Sequence, residues 1–220
     1  MTEARGKRTF DLVLAGSGLL LCLPLLAAIA LLIRFVDHGP IFFRQTRLGR
    51  HGVPFTILKF RSMRASTTGP GITASGDVRI TSLGRFLRRT KLDELPQLWN
   101  VVQGSMSLVG PRPEIPAMLA AYPPDLRPVL DLPAGVTDLA SLYFRGEEHL
   151  LAAVPNPEAY YREICLPAKL RMSLVYGLNR SLRDDIKIIC RTLCPGLKWP
   201  TLAEQTHPAV YQLPATPSGC

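Results

Sequence analysis

Hydrophobic and polar positions divide the chain into one long apolar run and a series of shorter periodic segments. From Leu12 to Ile33 no charged residue interrupts the sequence, a length sufficient to cross a bilayer as a helix, which takes about 20 apolar residues. The run is too long for the core of a cleaved signal peptide, and no small-residue cleavage site leads into a polar start, so it reads as an anchor. Positive charge flanks both ends, with Arg5, Lys7 and Arg8 before it and Arg34, Arg44, Arg47 and Arg50 after it. Such charge marks the cytoplasmic side. Pro24 lies near the middle of the run, where its missing N–H makes a sharp bend available. A re-entrant hairpin and a single kinked span both accommodate these facts.

The pattern then shortens. Gly39-Pro40 signals a turn, and the segments Ile41 to Leu48 and Val53 to Arg61, joined by Gly49-Arg50-His51-Gly52, predict a small β-hairpin beside the anchor. Lys59 and Arg61 are an even number apart, which gives them a shared face and two readings: contact with lipid headgroups or with a phosphate. Residues 65 to 77 are rich in glycine and hydroxyls and predict a loop. Leu83, Phe86 and Leu87 recur at helical spacing, with Arg85, Arg88 and Arg89 on the opposite side. Prolines at 123, 124 and 133 predict a short helix followed by loop over 115–135, and Arg145 to His149 reads as a solvated, glycine-broken loop. Tyr160, Tyr161, Cys165, Leu166, Leu170, Leu174, Val175 and Leu178 predict amphipathic helices that face either a core or a bilayer surface. Leu182, Ile186, Ile189 and Leu193 predict a last helix ending near Pro195, beyond which recurring prolines predict an extended tail.

Candidate chemistry concentrates in Thr90 to Asn100 and Ser107 to Pro113. Asp93 suits a helix N-cap, Pro96 the first turn, and Leu95, Leu98, Trp99 and Val102 the helix that follows. An acidic pair at a helix start serves capping in the ordinary case. Here Asp93 and Glu94 are preceded by Arg85, Arg88, Arg89 and Lys91 and followed by Arg112, a combination suited to holding phosphate and a divalent cation together.

Composition narrows the classes. The 220 residues carry 26 Lys+Arg against 17 Asp+Glu, a net charge of +9. That excess fits phosphorylated substrates or anionic membrane lipids. Nucleic acid is not expected as a partner, since no zinc-finger spacing, RNP-like aromatic pattern or helix-turn-helix accompanies it. Five scattered cysteines, Cys22, Cys165, Cys190, Cys194 and Cys220, form no CxxC pair and read as reduced thiols of a cytoplasmic compartment.

Taken in order, Lys7-Arg8-Thr9-Phe10-Asp11, Pro24, Gly39-Pro40-Ile41-Phe42-Phe43-Arg44-Gln45, Lys59-Phe60-Arg61-Ser62-Met63, Leu92 to Val101 and Ser107 to Glu114 resemble the monotopic polyprenol-phosphate phosphoglycosyl transferases, bacterial sugar transferases, in their short form. The resemblance implies an α+β, mostly helical fold, with a re-entrant helix-break-helix anchor over 1–36, kinked at Pro24 and packed on a catalytic body over 37–194. A Pro-rich tail over 195–220 follows. It implies transfer of a sugar 1-phosphate from a nucleotide diphosphate sugar, expected to be a UDP-sugar, to polyprenyl phosphate. The location it implies is the cytoplasmic face of the bacterial inner membrane, among its lipids. Asp93 is the implied nucleophile, forming a phosphosugar-aspartyl intermediate, and Glu94 the implied Mg²⁺ and proton-transfer residue. Lys59, Arg61, Arg85, Arg88 and Arg112 are the candidate phosphate-binding residues. The chain departs from common family members at Pro133 to Ser141 and has Ser173, three residues before Tyr176, where many have an acid. A non-catalytic binder of polyprenyl phosphate or anionic lipid is the alternative, and such a binder has no need of the acidic pair.

Overall fold

The computed structural model describes residues 6–64 and 77–196. The expected loop over 65–77 falls almost wholly outside the described residues, as do Arg5, Cys220 and the tail beyond residue 196. Helix α1 (Lys7–Val36) is continuous through Pro24. The helix break expected there is therefore not a loss of helical structure: proline removes one backbone donor, while the leucines and alanines on either side sustain the helix. Its buried positions are Lys7, Asp11, Ala15, Ile29 and Ile33, a stripe at steps of four near each end. Near the first end, Arg8 donates to the carbonyls of Val101 (2.6 Å) and Val102 (3.0 Å). Near the other, Ile29 and Ile33 pack with Phe60 and Leu87. Both ends of α1 therefore rest on the same body. Leu20, Leu21, Leu23, Leu31, Leu32 and Phe35 project from it without protein cover, an apolar surface of the kind a membrane occupies.

The hairpin forms as the alternation predicts. Strands β1 (Phe42–Leu48) and β2 (Pro54–Phe60) pair antiparallel, with Phe42 opposite Phe60 and Phe43 opposite Lys59. Helix α2 (Ser82–Thr90) starts at Thr81, whose hydroxyl accepts the Gly84 N–H at 2.8 Å. A Cβ at Gly84 would lie 2.0 Å from the Ser62 carbonyl oxygen, so glycine permits α2 to press against the chain leaving the hairpin. The helix stops at Lys91, which adopts φ +60°. A 3₁₀ turn, Leu92–Glu94, precedes helix α3 (Gln97–Gln103). Asp93 thus sits inside the turn and does not cap α3, and Pro96 takes the N-cap position. The left-handed residue at Lys91 starts a tight turn one step earlier than the hydrophobic spacing indicates.

Two three-residue strands, β3 (Ser107–Val109) and β4 (Gly135–Thr137), form a parallel pair that the sequence pattern does not predict. At their ends Gly110 and Gly135 touch: a Cβ on Gly135 would meet Gly110 N at 2.2 Å. Between them the chain makes two 3₁₀ helices, Pro116–Ala121 and Pro124–Asp131, in place of one helix and a loop. Helices α4 (Leu139–Tyr143), α5 (Glu147–Ala152) and α6 (Pro157–Tyr160) follow, then a π-helical turn (Tyr161–Cys165) running into α7 (Leu166–Asn179), and finally α8 (Leu182–Leu193). The solvated loop expected at 145–149 is largely α5, because Glu147 and Glu148 suit a first helical turn. Tyr161, Cys165, Leu166, Leu170 and Val175 are buried, so their helical face is core and not bilayer surface. Leu178 is exposed.

Candidate active site

The site is assembled where the end of β2, the turn before α3 and the segment after β3 meet. They contribute Lys59, the pair Asp93 and Glu94, and Arg112 in that order. Lys59 Nζ and Arg112 Nη2 both donate to Glu94 Oε1 at 2.7 Å. Lys59 reaches it because its position in β2 places it beside the Leu92–Glu94 turn. Arg112 reaches it because Gly110 lets the chain turn tightly away from β3 against Pro133 and Gly135. Burial alone would raise the Glu94 carboxyl, but the Arg112 and Lys59 charges reverse this and hold it well below the usual range. Burial lowers the Lys59 ammonium despite the Glu94 charge, and Glu94 holds the Arg112 guanidinium above its ordinary value.

Asp93 has the opposite environment. It is 8% exposed, and burial pushes its carboxyl above the usual range, with the Glu94 charge adding to the effect and Lys59, Lys91 and Arg88 opposing it. Its Oδ1 is buried and makes no hydrogen bond with the described residues. A carboxylate oxygen in that position lacks the solvation and bonds that would lower its energy. It retains acceptor capacity that no group among the described residues uses. The same observation tests the site for a divalent cation. Asp93 Oδ1 and the Glu94 oxygen not used by Lys59 and Arg112 belong to neighbouring residues and are hard donors of the kind Mg²⁺ takes together with phosphate and water. Among the described residues no group of three or more His, Cys, Asp or Glu forms a complete protein cage.

The other predicted residues are placed differently. Arg88 lies within electrostatic range of Asp93 and is ion-paired with Glu148 of α5. Arg85 is exposed on α2. Arg61 is buried and donates to the Asp37 carbonyl at 3.0 Å, with its guanidinium against Gly39; it braces the exit from α1 and does not bond to the acidic pair. Glu147 pairs with Lys169 at 2.5 Å, so the acids at 147 and 148 are engaged by cations. Ser173 approaches Asp138 Oδ2 at 3.4 Å. Asp138 itself was not a sequence candidate, and its polar position before Leu139 signals no more than the helix cap it makes to the Ser141 N–H at 2.7 Å. Lys169, held over the Phe144 and Tyr161 rings at 5.2 and 4.8 Å, likewise carries no signal of its own in the sequence.

The chain has counterparts among known proteins. A family model described as "Bacterial sugar transferase" matches residues 2–198. Among curated relatives, the UDP-glucose:undecaprenyl-phosphate glucose-1-phosphate transferase of Escherichia coli is 37% identical over 196 residues, which cover 86% of this chain and 40% of that protein. The protein of the same name from Caulobacter vibrioides is 39% identical, covering 85% of this chain and 68% of the relative. An exopolysaccharide production protein of Rhizobium leguminosarum is 48% identical over 200 residues, covering 87% of this chain and 94% of the relative. The chain thus spans well under half of the first of these proteins and nearly all of the last.

Proposed function

Because the chain belongs to the bacterial sugar transferase family, we propose that it transfers a sugar 1-phosphate from a UDP-sugar to undecaprenyl phosphate, with Asp93 as the nucleophile. The observation that carries this reading is the pairing of opposites at 93 and 94: one carboxylate locked by two cations, its neighbour buried with a free oxygen. The names of relatives supply donor and acceptor classes.

In the first step an Asp93 carboxylate oxygen attacks the sugar-linked phosphorus, the bond from that phosphorus to the bridging oxygen breaks, and UMP leaves with the bridging oxygen. The product is a sugar phosphate esterified to Asp93 as an acyl phosphate. In the second, an oxygen of undecaprenyl phosphate attacks the same phosphorus, and Asp93 departs as carboxylate. Undecaprenyl diphosphate sugar results. Arg112 and Lys59 hold Glu94 in place, and Arg112 is also positioned to meet phosphate oxygens. Arg88 is available to them once it leaves Glu148. A Mg²⁺ held by Glu94, when bound, would neutralise charge on the diphosphate.

The same reading extends to the membrane, with α1 as its support. A helix of 30 residues with both ends on one body favours an anchor that enters and leaves on the cytoplasmic face, bent at Pro24, over a span that carries one end away. Exposed Trp99 on α3 and Phe86 on α2 suit the headgroup level of the same leaflet. The site then lies where a water-soluble donor and a lipid acceptor meet.

The test is single-turnover chemistry. Wild-type protein in detergent with Mg²⁺ and a radiolabelled UDP-sugar, without acceptor, should release about one equivalent of UMP and carry the sugar phosphate on the peptide containing Asp93. Adding undecaprenyl phosphate should discharge it, and Asp93→Asn should show neither event. Continuous UMP release without acceptor would instead make the protein a nucleotide-sugar hydrolase. Lipid binding with no release from any donor would make it a non-catalytic binder.

A further inference from the structure

The ion pair of Arg112 with Glu94 joins two segments of the chain, and the first turns of α1 hold both of them. On the Glu94 side, Arg8 donates to the Val101 and Val102 carbonyls in the last turn of α3, at 2.6 and 3.0 Å, where a helix is short of donors. On the Arg112 side, Asp11 Oδ2 accepts the Ser107 hydroxyl at 2.8 Å, and Asp11 Oδ1 lies 3.4 Å from the Leu108 nitrogen, which donates to it. The same hydroxyl lies 2.9 Å from the Val109 carbonyl oxygen. It therefore fixes the carboxylate of α1 and its own strand together.

From Asp11 to Arg112 the path has no slack. Asp11 and Ser107 are each 2% exposed. Beyond β3, the Gly110 N–H donates to the Thr137 carbonyl at 3.1 Å and the Gly135 N–H to the Pro111 carbonyl at 2.9 Å. A Cβ at Gly110 would lie 2.2 Å from the Pro133 carbonyl oxygen. A close-packed segment of this kind passes a displacement on and does not absorb it. Charge points the same way. Lys7 pairs with Asp185 at 2.8 Å as well as with Asp11 at 2.7 Å, so one ammonium serves two buried carboxyl groups. Stability alone does not call for the second acid, because one shared cation offsets the desolvation of two carboxyl groups poorly.

Resting on the reading above only for the contact of Arg112 with phosphate, we propose that Asp11 is a positioning residue for Arg112, acting through the Ser107 hydroxyl and β3. The first turns of α1 then set the geometry of the site as well as securing the helix to the body. A misplacement of about 1 Å in a group that holds substrate costs up to about 100-fold, so the loss of one hydroxyl at Ser107 is readable at the phosphate.

Calorimetric binding of UDP with Mg²⁺ to the full chain in detergent reads the Arg112 contact without turnover. Arg112→Ala should weaken UDP binding about tenfold or more. Ser107→Ala should weaken it by about three- to tenfold and Asp11→Asn by at least as much, while Ser107→Thr, which keeps the hydroxyl, should recover most of the loss. The decisive comparison is the double variant. Once Arg112 is alanine, Ser107→Ala should have no further effect on UDP binding, whereas its cost in denaturation midpoint should persist in both backgrounds. An equal loss of UDP binding in both backgrounds would overturn the proposal. So would unchanged binding in Ser107→Ala and Asp11→Asn, or a failure of Arg112→Ala to weaken binding. Failure of the transferase reading has a separate signature: the coupling of Ser107 to Arg112 intact, with no aspartyl adduct and no UMP release.

Discussion

Two buried charge clusters sit some distance apart in this molecule, and they are solved differently. Beneath the start of α1, Lys7 Nζ lies 2.7 Å from Asp11 Oδ1 and 2.8 Å from Asp185 Oδ2. Asp11 also accepts the Ser107 hydroxyl at 2.8 Å, and Asp185 accepts the Tyr176 hydroxyl at 2.5 Å. Every member of that cluster has a partner. At the site, Glu94 is equally well held, but Asp93 Oδ1 is left open. Closed networks fix an arrangement and open ones leave acceptor capacity unused, so the two clusters differ as a clamp differs from a candidate reaction centre. The clamp also ties α1 to the strand that leads into Arg112, because Ser107 begins β3.

The sharpest way to break this comparison is Asp93→Asn. Transfer should fall by about 10⁴-fold or more, with a thermal midpoint equal to or above that of wild type, because the substitution removes a buried carboxylate whose ionised form the site disfavours. A marked loss of stability would make Asp93 part of a structural network instead. Lys7→Met should do the reverse. It leaves Asp11 and Asp185 without their shared cation and should cost about 3–5 kcal/mol of stability, read as a lower denaturation midpoint in detergent.

That second variant carries a pH signature. Burial holds the Asp185 carboxyl above its usual range, against the Lys7 charge and the Tyr176 hydrogen bond. The folded chain therefore takes up this proton at a higher pH than the unfolded chain, and stability declines as pH rises through the interval between the two values. Without Lys7 the interval widens. The gap in midpoint between Lys7→Met and wild type should be larger at pH 7.5 than at pH 5.5, and a gap independent of pH would show that the lysine acts through packing alone.

Arg112→Lys tests the shared contact at Glu94. Lysine keeps the charge and loses the guanidinium fork, so transfer should drop about 100-fold with little change in midpoint, since Lys59 continues to hold Glu94. Smallest of all, Arg85→Ala should alter stability by no more than about 0.5 kcal/mol and reduce transfer less than Arg88→Ala, because Arg85 is exposed whereas Arg88 lies within range of Asp93. An equal loss for both would place Arg85 on the substrate.

The boundary between what the sequence discloses and what it hides follows contact range. The hairpin, α2 and α8 are readable because a period of two or of 3.6 needs no knowledge of the rest of the chain. The Lys7–Asp11 pair is readable in principle from its four-residue spacing, and Asp93, Glu94 and Arg112 stand out as charge in a short region. The β3–β4 pair is not readable: three residues are too few for alternation, and the partner strand lies beyond two 3₁₀ helices. Nor is the convergence of Lys59 on Glu94, of Tyr176 on Asp185, or of Ser173 on Asp138, each of which depends on how distant segments pack. Arg61 misleads for the same reason. Its spacing from Lys59 is that of one strand face, but β2 ends at Phe60 and the guanidinium turns to the α1 exit.

The stripe of α1 that lies on the body has a further meaning for how this protein is handled. A hydrophobic helix that supplies Ala15, Ile29 and Ile33 to the interior is not a tether that cleavage would release. An amphiphile that covers its exposed outer face would therefore behave as a ligand of the folded state. By mass action the apparent stability of the whole chain should rise and fall with the amphiphile that occupies that face.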